Sequence, residues 1–167
     1  MQKIGLISDT HGYWEEKLYQ TLADCDEIWH AGDIGNMDIA DKMEAFKPVR
    51  AVFGNIDDGA MRRRYAETLD FELEGVRVLM THIGGRPPKY NKTALNLLQL
   101  HQPQLFIVGH SHILLVQYDA VFGCLHLNPG ALGIEGWHKQ RTAMTFVLNA
   151  GKIEQIQVVD FGLRGKL

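Results

Sequence analysis

The sequence lacks the features that mark disulfide-rich, membrane-spanning and nucleic-acid-binding proteins. Its only two cysteines, Cys25 and Cys124, form no CxxC pair and suggest no disulfide framework. No apolar run approaches the roughly 18 residues that a membrane-spanning helix needs, and residues 1–9 turn polar too early for a secretion signal. The formal net charge of −3 disfavours electrostatic binding to nucleic acid or to an anionic membrane. We therefore expect a cytoplasmic protein whose partners include neither membranes nor nucleic acid.

Linkers, repeats and low-complexity segments are also missing from the chain. Its length of 167 residues predicts a single domain that extends over residues 1–167. A domain of this size could bury about two-thirds of the surface that the unfolded chain exposes. Apolar residue types make up 46% and charged types 22%, which is ordinary for a globular protein and wrong for a disordered one. What stands out is a set of eight histidines beside twenty acidic residues.

Short apolar strands alternate with helical patterns in the first half of the chain, whereas the second half is typical of hairpins. Predicted strands cover residues 3–7, 26–29, 49–53, 71–74, 76–80, 105–108, 113–118, 121–127, 142–148 and 153–159. One helical face recurs at Trp14, Leu18 and Leu22. A second helix begins after Asn36, and a third follows a Pro-Pro pair. This order predicts a mixed α–β fold, with one mixed sheet or two stacked sheets and the helices outside.

Polar side chains with metal-binding chemistry follow five of these predicted strands. The five loops contain Asp9 and His11, then Asp33, then Asn55, then His82, and finally His110 and His112. The carboxyl ends of neighbouring strands in an open α/β sheet share one crevice, so these loops can converge on a single place. Because alternate side chains of an extended strand point to one face, Asp-x-His and His-x-His would each present two ligands together, either to one ion or to two adjacent ions.

Carboxylates, an amide oxygen and imidazoles together form a ligand set for divalent ions such as manganese, zinc or iron. Seven ligands are too many for one ion and suit two, with a carboxylate bridging between them. Two ions roughly 3.5 to 4 Å apart are the arrangement used for hydrolysis at phosphorus, because bound water then loses a proton near neutral pH. Each motif alone can be explained as an ordinary turn, but five unrelated turns would seldom supply all seven ligands.

The order and spacing of these motifs resemble the calcineurin-like metallophosphoesterase superfamily. The matching segments are Asp9-Thr10-His11, Gly32-Asp33, Gly54-Asn55-Ile56-Asp57, His82 and Gly109-His110-Ser111-His112, which extend over about residues 4–130. The short chain and the trailing Asn128-Pro129-Gly130 are most similar to the compact bacterial and archaeal phosphodiesterase branch. This resemblance implies a four-layer αββα sandwich, in which two stacked mixed sheets have flanking helices, in a single domain.

The resemblance also implies how the seven ligands are shared between two divalent ions. Asp9, His11 and His112 would hold one ion, and Asp33 would bridge to the second. Asn55, His82 and His110 would complete the second ion. Manganese is the metal that we expect, with zinc, iron(II) and nickel as alternatives.

Two departures from the superfamily pattern concern the proton donor. Ile56 stands where many members have a histidine that is thought to protonate the leaving group. Gly84 stands where the compact branch often has another histidine. The general acid is therefore unknown. General-acid help is worth roughly 10²- to 10⁴-fold in rate, so we expect activated or aryl phosphodiesters to be preferred over alkyl monoesters.

Several other polar and aromatic residues are weaker candidates for the site. Arg86 could reach a phosphate oxygen, because guanidinium matches phosphate geometry, although a plain surface arginine is the simpler interpretation. His30 is expected to orient a ligand or to pack, and His126 to lie half-buried in a strand. The remaining assignments are His101 and His138 to the surface, Arg62-Arg63-Arg64 to a solvated face, and Trp14, Trp29 and Trp137 to packing.

The predicted function is a metal-dependent phosphoesterase, and more narrowly a phosphodiesterase that hydrolyses small or nucleotide-like phosphodiesters with hydroxide activated by two metals. The alternative is an interaction scaffold with weak or no catalysis, because a relative in the retromer coat has this fold and works chiefly as an interaction surface. All seven ligands are intact here, which favours the enzyme. Nothing basic or extended is present to hold a nucleic-acid strand, which argues against a nuclease. A homo-oligomer stays open, since no patch in the sequence demands one.

Overall fold

Two five-stranded sheets lie at the centre of the protein in the computed structural model, which describes residues 1–165. The strands are β1 (Gln2–Ile7), β2 (Glu27–His30), β3 (Val49–Ala51), β4 (Thr68–Leu73), β5 (Val76–Thr81), β6 (Gly85–Arg86), β7 (Lys89–Tyr90), β8 (Leu105–Ile107), β9 (Leu115–Asp119), β10 (Cys124–Asn128), β11 (Gln140–Asn149) and β12 (Lys152–Leu163). The helices are α1 (Glu16–Leu22), α2 (Met37–Phe46), α3 (Gly59–Arg64) and α4 (Lys92–His101). Strands β6 and β7 form a separate two-stranded ribbon.

Both large sheets mix parallel and antiparallel strands. The first has the order β12-β11-β1-β2-β3, in which β1, β2 and β3 are parallel to one another and β11 is antiparallel to both β1 and β12. The second has the order β4-β5-β8-β10-β9, in which β5, β8 and β10 are parallel and the two outer strands are antiparallel to their neighbours. In each sheet the parallel strands therefore end at the same edge, where their following loops can meet.

One core lies between the two sheets, and a further core lies between each sheet and its helices. Ile4 and Leu6 of β1 belong to the central core, whereas Ile7 packs among residues of α1 and α2. This division follows from the two-residue repeat of a strand. On the far side of the second sheet, Phe106 packs with Leu98 of α4. The resulting order of layers, helix–sheet–sheet–helix, is the four-layer sandwich that the sequence resemblance implies.

The helices confirm the sequence patterns except at two places. Helix α2 begins after Asn36 as predicted, and the Asn36 side chain accepts a hydrogen bond from the Ile39 amide at 3.1 Å. Helix α1 begins at Glu16, later than the repeat starting at Trp14 suggests. The sequence pattern does not predict α3, because Met61 is its only fully buried side chain and no apolar repeat results.

At their C-terminal ends, only β3 and β12 differ from the sequence prediction by more than one residue. Strand β3 ends at Ala51 rather than at residue 53, and Val52 makes only an isolated bridge to Ala66. Strand β12 continues to Leu163 rather than ending at residue 159, and its pairing with β11 shifts register twice. Polar residues such as Asp160 interrupt the apolar pattern in this long strand, which explains why the sequence signal ends early.

The part of the chain that the structure describes contains neither a disulfide bond nor a helix suited to a membrane. Cys25 and Cys124 are buried as free thiols in two different cores. Within residues 1–165, no helix combines the length and the apolar character needed to cross a membrane.

Candidate metal centre

The loops that carry the candidate ligands meet at one edge of the two sheets, and hydrogen bonds tie them together. The His11 amide donates to the Asp33 carbonyl at 3.0 Å, which joins the loops after β1 and β2. The His110 amide donates to Asp9 Oδ2 at 3.1 Å, which joins a loop of the second sheet to a loop of the first. The ligands are therefore brought together by main-chain contacts as well as by their own side chains.

Asp9, His11 and His112 form the first group of candidate ligands. One ligand atom from each residue lies within 4.8 Å of the other two. His112 Nε2 is 3.1 Å from Asp9 Oδ1, and His11 Nε2 is 3.8 Å from the same oxygen. Asp9 is completely buried, and the two histidines are partly buried. The three ligand atoms are therefore close enough to bind the same ion.

Asp33, His82 and His110 form the second group, again with one atom from each within 4.8 Å of the others. His82 Nε2 is 3.2 Å from Asp33 Oδ2 and 3.1 Å from Asn55 Oδ1. Asp33 Oδ2 also lies 3.7 Å from His11 Nε2, which belongs to the first group. The Asp33 carboxylate therefore faces both groups and is in position to join them.

Five of the seven candidate ligands have a left-handed backbone. Their φ angles are +53° at Asp9, +48° at His11, +57° at Asp33, +65° at His110 and +57° at His112. Non-glycine residues rarely adopt this conformation, and such strain concentrates at functional sites. The expectation of extended Asp-x-His and His-x-His segments is therefore wrong. Instead of sharing one face, His110 and His112 join different groups.

Negative charge dominates the centre. Burial opposes the ionisation of Asp9, but the nearby imidazoles of His11 and His112 outweigh it and hold the pKa of Asp9 far below its ordinary value. Burial likewise opposes ionisation of Asp33, and contact with His82 more than compensates, so the pKa of Asp33 is lowered. The nearby Asp9 carboxylate in turn raises the pKa of His11. Both aspartates are therefore ionised at neutral pH, and their field favours a bound cation.

The hydrogen-bonding state of the centre fits a divalent cation. Asp9 Oδ1 and His11 Nε2 are buried atoms that make no hydrogen bond within the described part of the chain, an arrangement that proteins rarely leave uncompensated. His82 Nδ1 lies 2.7 Å from the Ala31 carbonyl oxygen, which only accepts hydrogen bonds, so Nδ1 carries a proton. In the neutral ring the Nε2 lone pair then faces the Asp33 carboxylate. Lone pairs that converge in this way are the ligand geometry of a metal site.

Comparison with known proteins identifies the family. The family model described as the calcineurin-like phosphoesterase superfamily domain matches residues 2–151. The chain belongs to this superfamily. A probable metallophosphoesterase of Mycoplasma pneumoniae is 30% identical to it over 164 residues, which cover 93% of this chain and 96% of that relative.

Solved structures with the same fold include proteins with different names. Vps29 of Chaetomium thermophilum matches with a TM-score of 0.75 at 12% identity, over 98% of this chain and 100% of Vps29. A novel archaeal phosphodiesterase matches with a TM-score of 0.72 at 18% identity, over 94% of this chain and 99% of that one. Identities this low establish a shared fold but not a shared activity.

In this calcineurin-like phosphoesterase, Asp57 joins two of the ligand-bearing loops. Its buried carboxylate accepts hydrogen bonds from the amides of Ile34 at 3.2 Å, Gly35 at 2.8 Å and Gly54 at 2.7 Å. No separate role is predicted for Asp57 from the sequence. Its signal there is its place as the last residue of the segment Gly54-Asn55-Ile56-Asp57, which matches the superfamily pattern. Asp57 fixes the loops after β2 and β3 relative to each other.

Two further histidines are buried but belong to neither ligand group. His30 Nε2 lies 2.9 Å from Thr10 Oγ1, and His30 Nδ1 accepts a hydrogen bond from the Gly32 amide at 3.1 Å. These contacts hold the loops after β1 and β2, as expected of a residue that orients ligands. The prediction that His126 is half-buried is wrong, because it is fully buried and packs against the Tyr90 ring, with centroids 5.7 Å apart.

Two predictions about the loop before β11 are wrong. His138 is buried rather than on the surface, and its Nδ1 lies 3.0 Å from His112 Nδ1. Trp137 is 77% exposed rather than packed in the core, and its indole stacks on the His112 ring with centroids 5.7 Å apart. No local sequence signal marks either residue, since only the path of the folded chain brings this loop to His112.

An open cleft of about 500 Å³ lies beside the second ligand group. It is lined by Asn55, His82 and also Arg62, for which the sequence predicts a solvated face. Arg62 Nε donates to the Asp57 carbonyl at 2.8 Å, and the guanidinium lies over the Phe53 ring at 4.8 Å. These two contacts hold a positive charge in a defined orientation at the wall of the cleft.

Two other arginines occupy different surroundings. Arg64 pairs with Asp41 at 2.6 Å and with Glu44 at 2.7 Å, which is the surface contact expected of this cluster. Arg86 is exposed on β6 and lines a separate depression together with Ser111, the residue between the two histidines of its loop. Arg86 therefore lies near the ligand-bearing loop after β8 but outside the cleft beside His82.

Proposed function

We propose that this superfamily member is a binuclear phosphodiesterase that hydrolyses small or nucleotide-like phosphodiesters. The observation that carries this proposal is the position of Asp33, whose Oδ2 lies 3.7 Å from His11 Nε2 and 3.2 Å from His82 Nε2. Two ions that share a carboxylate are the arrangement used for displacement at phosphorus. The likeness in fold to an archaeal phosphodiesterase supports the choice of a diester substrate.

Each group of ligands would hold one divalent ion, with Asp33 between them. When bound, such ions lower the pKa of water and neutralise the charge of a phosphate group. The residues of the chain do the positioning. Asp9 and Asp33 supply ionised carboxylates, and the Ala31 carbonyl holds the His82 ring with Nε2 towards Asp33. Because hydrogen bonds fix the backbone of these loops, little reorganisation is needed when substrate arrives.

Metal content tests the proposal directly. Protein reconstituted with Mn²⁺ and then dialysed should contain about two ions per chain by elemental analysis, because two complete ligand groups are present. Ligands of oxygen and imidazole without thiolate suit Mn²⁺, with Zn²⁺, Fe²⁺ or Ni²⁺ as alternatives. Hydrolysis of bis(4-nitrophenyl) phosphate should stop on chelation and return on adding metal. Fewer than one ion per chain after reconstitution would contradict the binuclear centre.

Arg62 is expected to bind the substrate phosphate in the cleft beside His82. A hydrogen bond from a charged donor is worth about 1.5–3 kcal/mol, and about 1.4 kcal/mol corresponds to a factor of ten. The Arg62→Ala change should therefore raise KM for bis(4-nitrophenyl) phosphate by about 10- to 100-fold. Initial-rate kinetics of the metal-loaded enzyme measure this effect.

Two neighbouring arginines supply the comparison for that experiment. Arg63 is exposed on the same short helix and is not among the described residues that line the cleft. Arg63→Ala should therefore keep the wild-type KM. Arg86→Ala tests the weaker candidate from the sequence. A larger rise in KM for Arg86→Ala than for Arg62→Ala would show that Arg86 binds the phosphate instead.

An interaction scaffold is the second candidate function. The fold is shared with Vps29, and the edge strand β9 exposes apolar side chains, with Val116 44% and Tyr118 65% exposed. An exposed edge of this kind can pair with another protein. Two complete ligand groups joined by one carboxylate favour the enzyme, because a scaffold does not need them.

A further inference from the structure

A buried histidine outside the seven candidate ligands contacts the first ligand group. His138 lies in the loop between β10 and β11, and only 8% of it is exposed. Its Nδ1 is 3.0 Å from His112 Nδ1, and its Nε2 is 3.0 Å from the Gly133 carbonyl oxygen. The two imidazole rings meet edge to face with centroids 4.9 Å apart. His138 therefore connects a candidate ligand to the backbone of its own loop.

The proton positions in this contact follow from the Gly133 carbonyl, which can only accept a hydrogen bond. His138 Nε2 must therefore carry a proton, and in the neutral ring Nδ1 is left as an acceptor. His112 Nδ1 must then carry a proton and donate a hydrogen bond to His138 Nδ1. This arrangement leaves the lone pair of His112 on Nε2, the atom that lies 3.1 Å from Asp9 Oδ1.

The same loop is anchored on Asp9, which closes a ring of contacts around the first group. The Gly133 amide donates to the Asp9 carbonyl at 3.0 Å. From there the ring passes through His138 and His112 and returns to the Asp9 carboxylate. Gly136 packs so tightly on the imidazole pair that a Cβ at this position would lie 2.4 Å from His112 Nδ1. The backbone of the loop is therefore fitted closely against both rings.

We propose that His138 is a positioning residue of the metal centre, which accepts a hydrogen bond from His112 and fixes the tautomer and orientation of that ligand. The inference rests on the proposed role of His112 as a metal ligand. A partner on the far nitrogen keeps the metal-facing nitrogen deprotonated and the ring aligned. His82 has an equivalent partner in the Ala31 carbonyl. Of these two partners only His138 is a side chain, so it can be removed by substitution.

Calorimetric titration of the metal-free protein with Mn²⁺ tests this role without relying on catalysis. His138→Ala should weaken one of two binding events by about 10- to 100-fold and leave the other unchanged, because His82 keeps its own partner. His138→Asn should restore most of the affinity, since its side-chain oxygen can accept from His112 Nδ1. His101→Ala, which removes a half-buried histidine paired with Asp70 at 2.6 Å, should bind as the wild type does.

Equal affinities in the wild-type and His138→Ala proteins would overturn the inference. NMR of protein labelled at the histidine nitrogens gives a second readout that needs no variant. At mildly alkaline pH His112 should be protonated at Nδ1, and protonation at Nε2 instead would also overturn the inference. A wild-type protein that binds no Mn²⁺ contradicts the proposed function, and the tautomer of His112 still decides whether His138 orients it. If circular dichroism shows that His138→Ala is unfolded, His138→Asn and the NMR measurement decide the question.

Discussion

Replacing Asp33 by Asn is expected to reduce the turnover of bis(4-nitrophenyl) phosphate by about 10³-fold or more. The asparagine side chain has nearly the same shape but no charge, and Asp33 is the carboxylate that faces both ligand groups. Charge stabilisation by metal ions contributes several kcal/mol to such reactions, and about 1.4 kcal/mol corresponds to a factor of ten in rate. Steady-state kinetics with Mn²⁺ measure the loss of turnover, and elemental analysis of the same samples measures the accompanying loss of bound metal.

An exposed aspartate provides the control for this variant. Asp38 on α2 pairs with Lys42 at 2.7 Å and belongs to neither ligand group, so Asp38→Asn should retain both metal and turnover. Wild-type turnover in Asp33→Asn would rule out the bridging role of this carboxylate. The experiment also separates the two candidate functions, because a scaffold would show no turnover in the wild type and would keep its partner in the variant.

The second large effect concerns the leaving group. The Mn²⁺-loaded enzyme should accelerate hydrolysis of bis(4-nitrophenyl) phosphate about 10²- to 10⁴-fold more than that of an alkyl phosphate, each compared with its uncatalysed rate. Nitrophenolate leaves without protonation, whereas an alkoxide needs a general acid. Ile56 occupies one usual position of that acid and has no proton to donate. Rates measured on the two substrates side by side decide this, and equal accelerations would contradict it.

Of the two positions that lack the usual histidine, only one has room for it. Ile56 is 46% exposed, and its amide donates to Asp33 Oδ1 at 3.0 Å, so a side chain there begins beside the carboxylate that faces both ligand groups. At Gly84 a Cβ would lie 2.5 Å from Val108 Cγ1. Ile56→His should therefore reduce the difference in rate acceleration between bis(4-nitrophenyl) phosphate and the alkyl phosphate. An unchanged difference in an otherwise active variant would mean that position 56 does not face the leaving group.

The convergence of the ligands could be predicted because each follows a strand whose end is recognisable in the sequence. The run from Ile4 to Ile7 is apolar and stops at Ser8 and Asp9, which is the signal for a buried strand that enters a loop. Parallel strands of one sheet end at a shared edge, so the loops after β1, β2 and β3 can meet, as can those after β5 and β8. This argument needs only the direction of each strand and tolerates errors of a few residues in its ends.

The partition of the ligands could not be obtained from strand geometry. The extended-strand rule places His110 and His112 on one face, but positive φ angles at both residues turn them towards different groups. Only the resemblance to the superfamily implies the division that the structure shows. Single-residue backbone conformations of this kind depend on contacts with other loops, such as the hydrogen bond from the His110 amide to Asp9.

The position of His138 beside His112 and the presence of helix α3 could not be predicted from the sequence, for related reasons. His138 acquires its role only because Gly133 binds the backbone of Asp9 and brings the loop against His112. Helix α3 is held by Asp58, whose carboxylate accepts hydrogen bonds from two amides of the first turn, and by one buried side chain. Neither arrangement produces a repeat of apolar residues along the sequence, so a search for such repeats finds neither of them.

The left-handed backbone at five ligand positions has a consequence for how metals exchange. A residue other than glycine in this conformation costs roughly 1–2 kcal/mol, and packing and hydrogen bonds between loops, such as that from the His11 amide to Asp33, offset the cost during folding. These contacts order the loops that carry the candidate ligands. We therefore expect bound ions to exchange in a framework that does not have to refold, so the stability of the protein would depend little on which metal it binds.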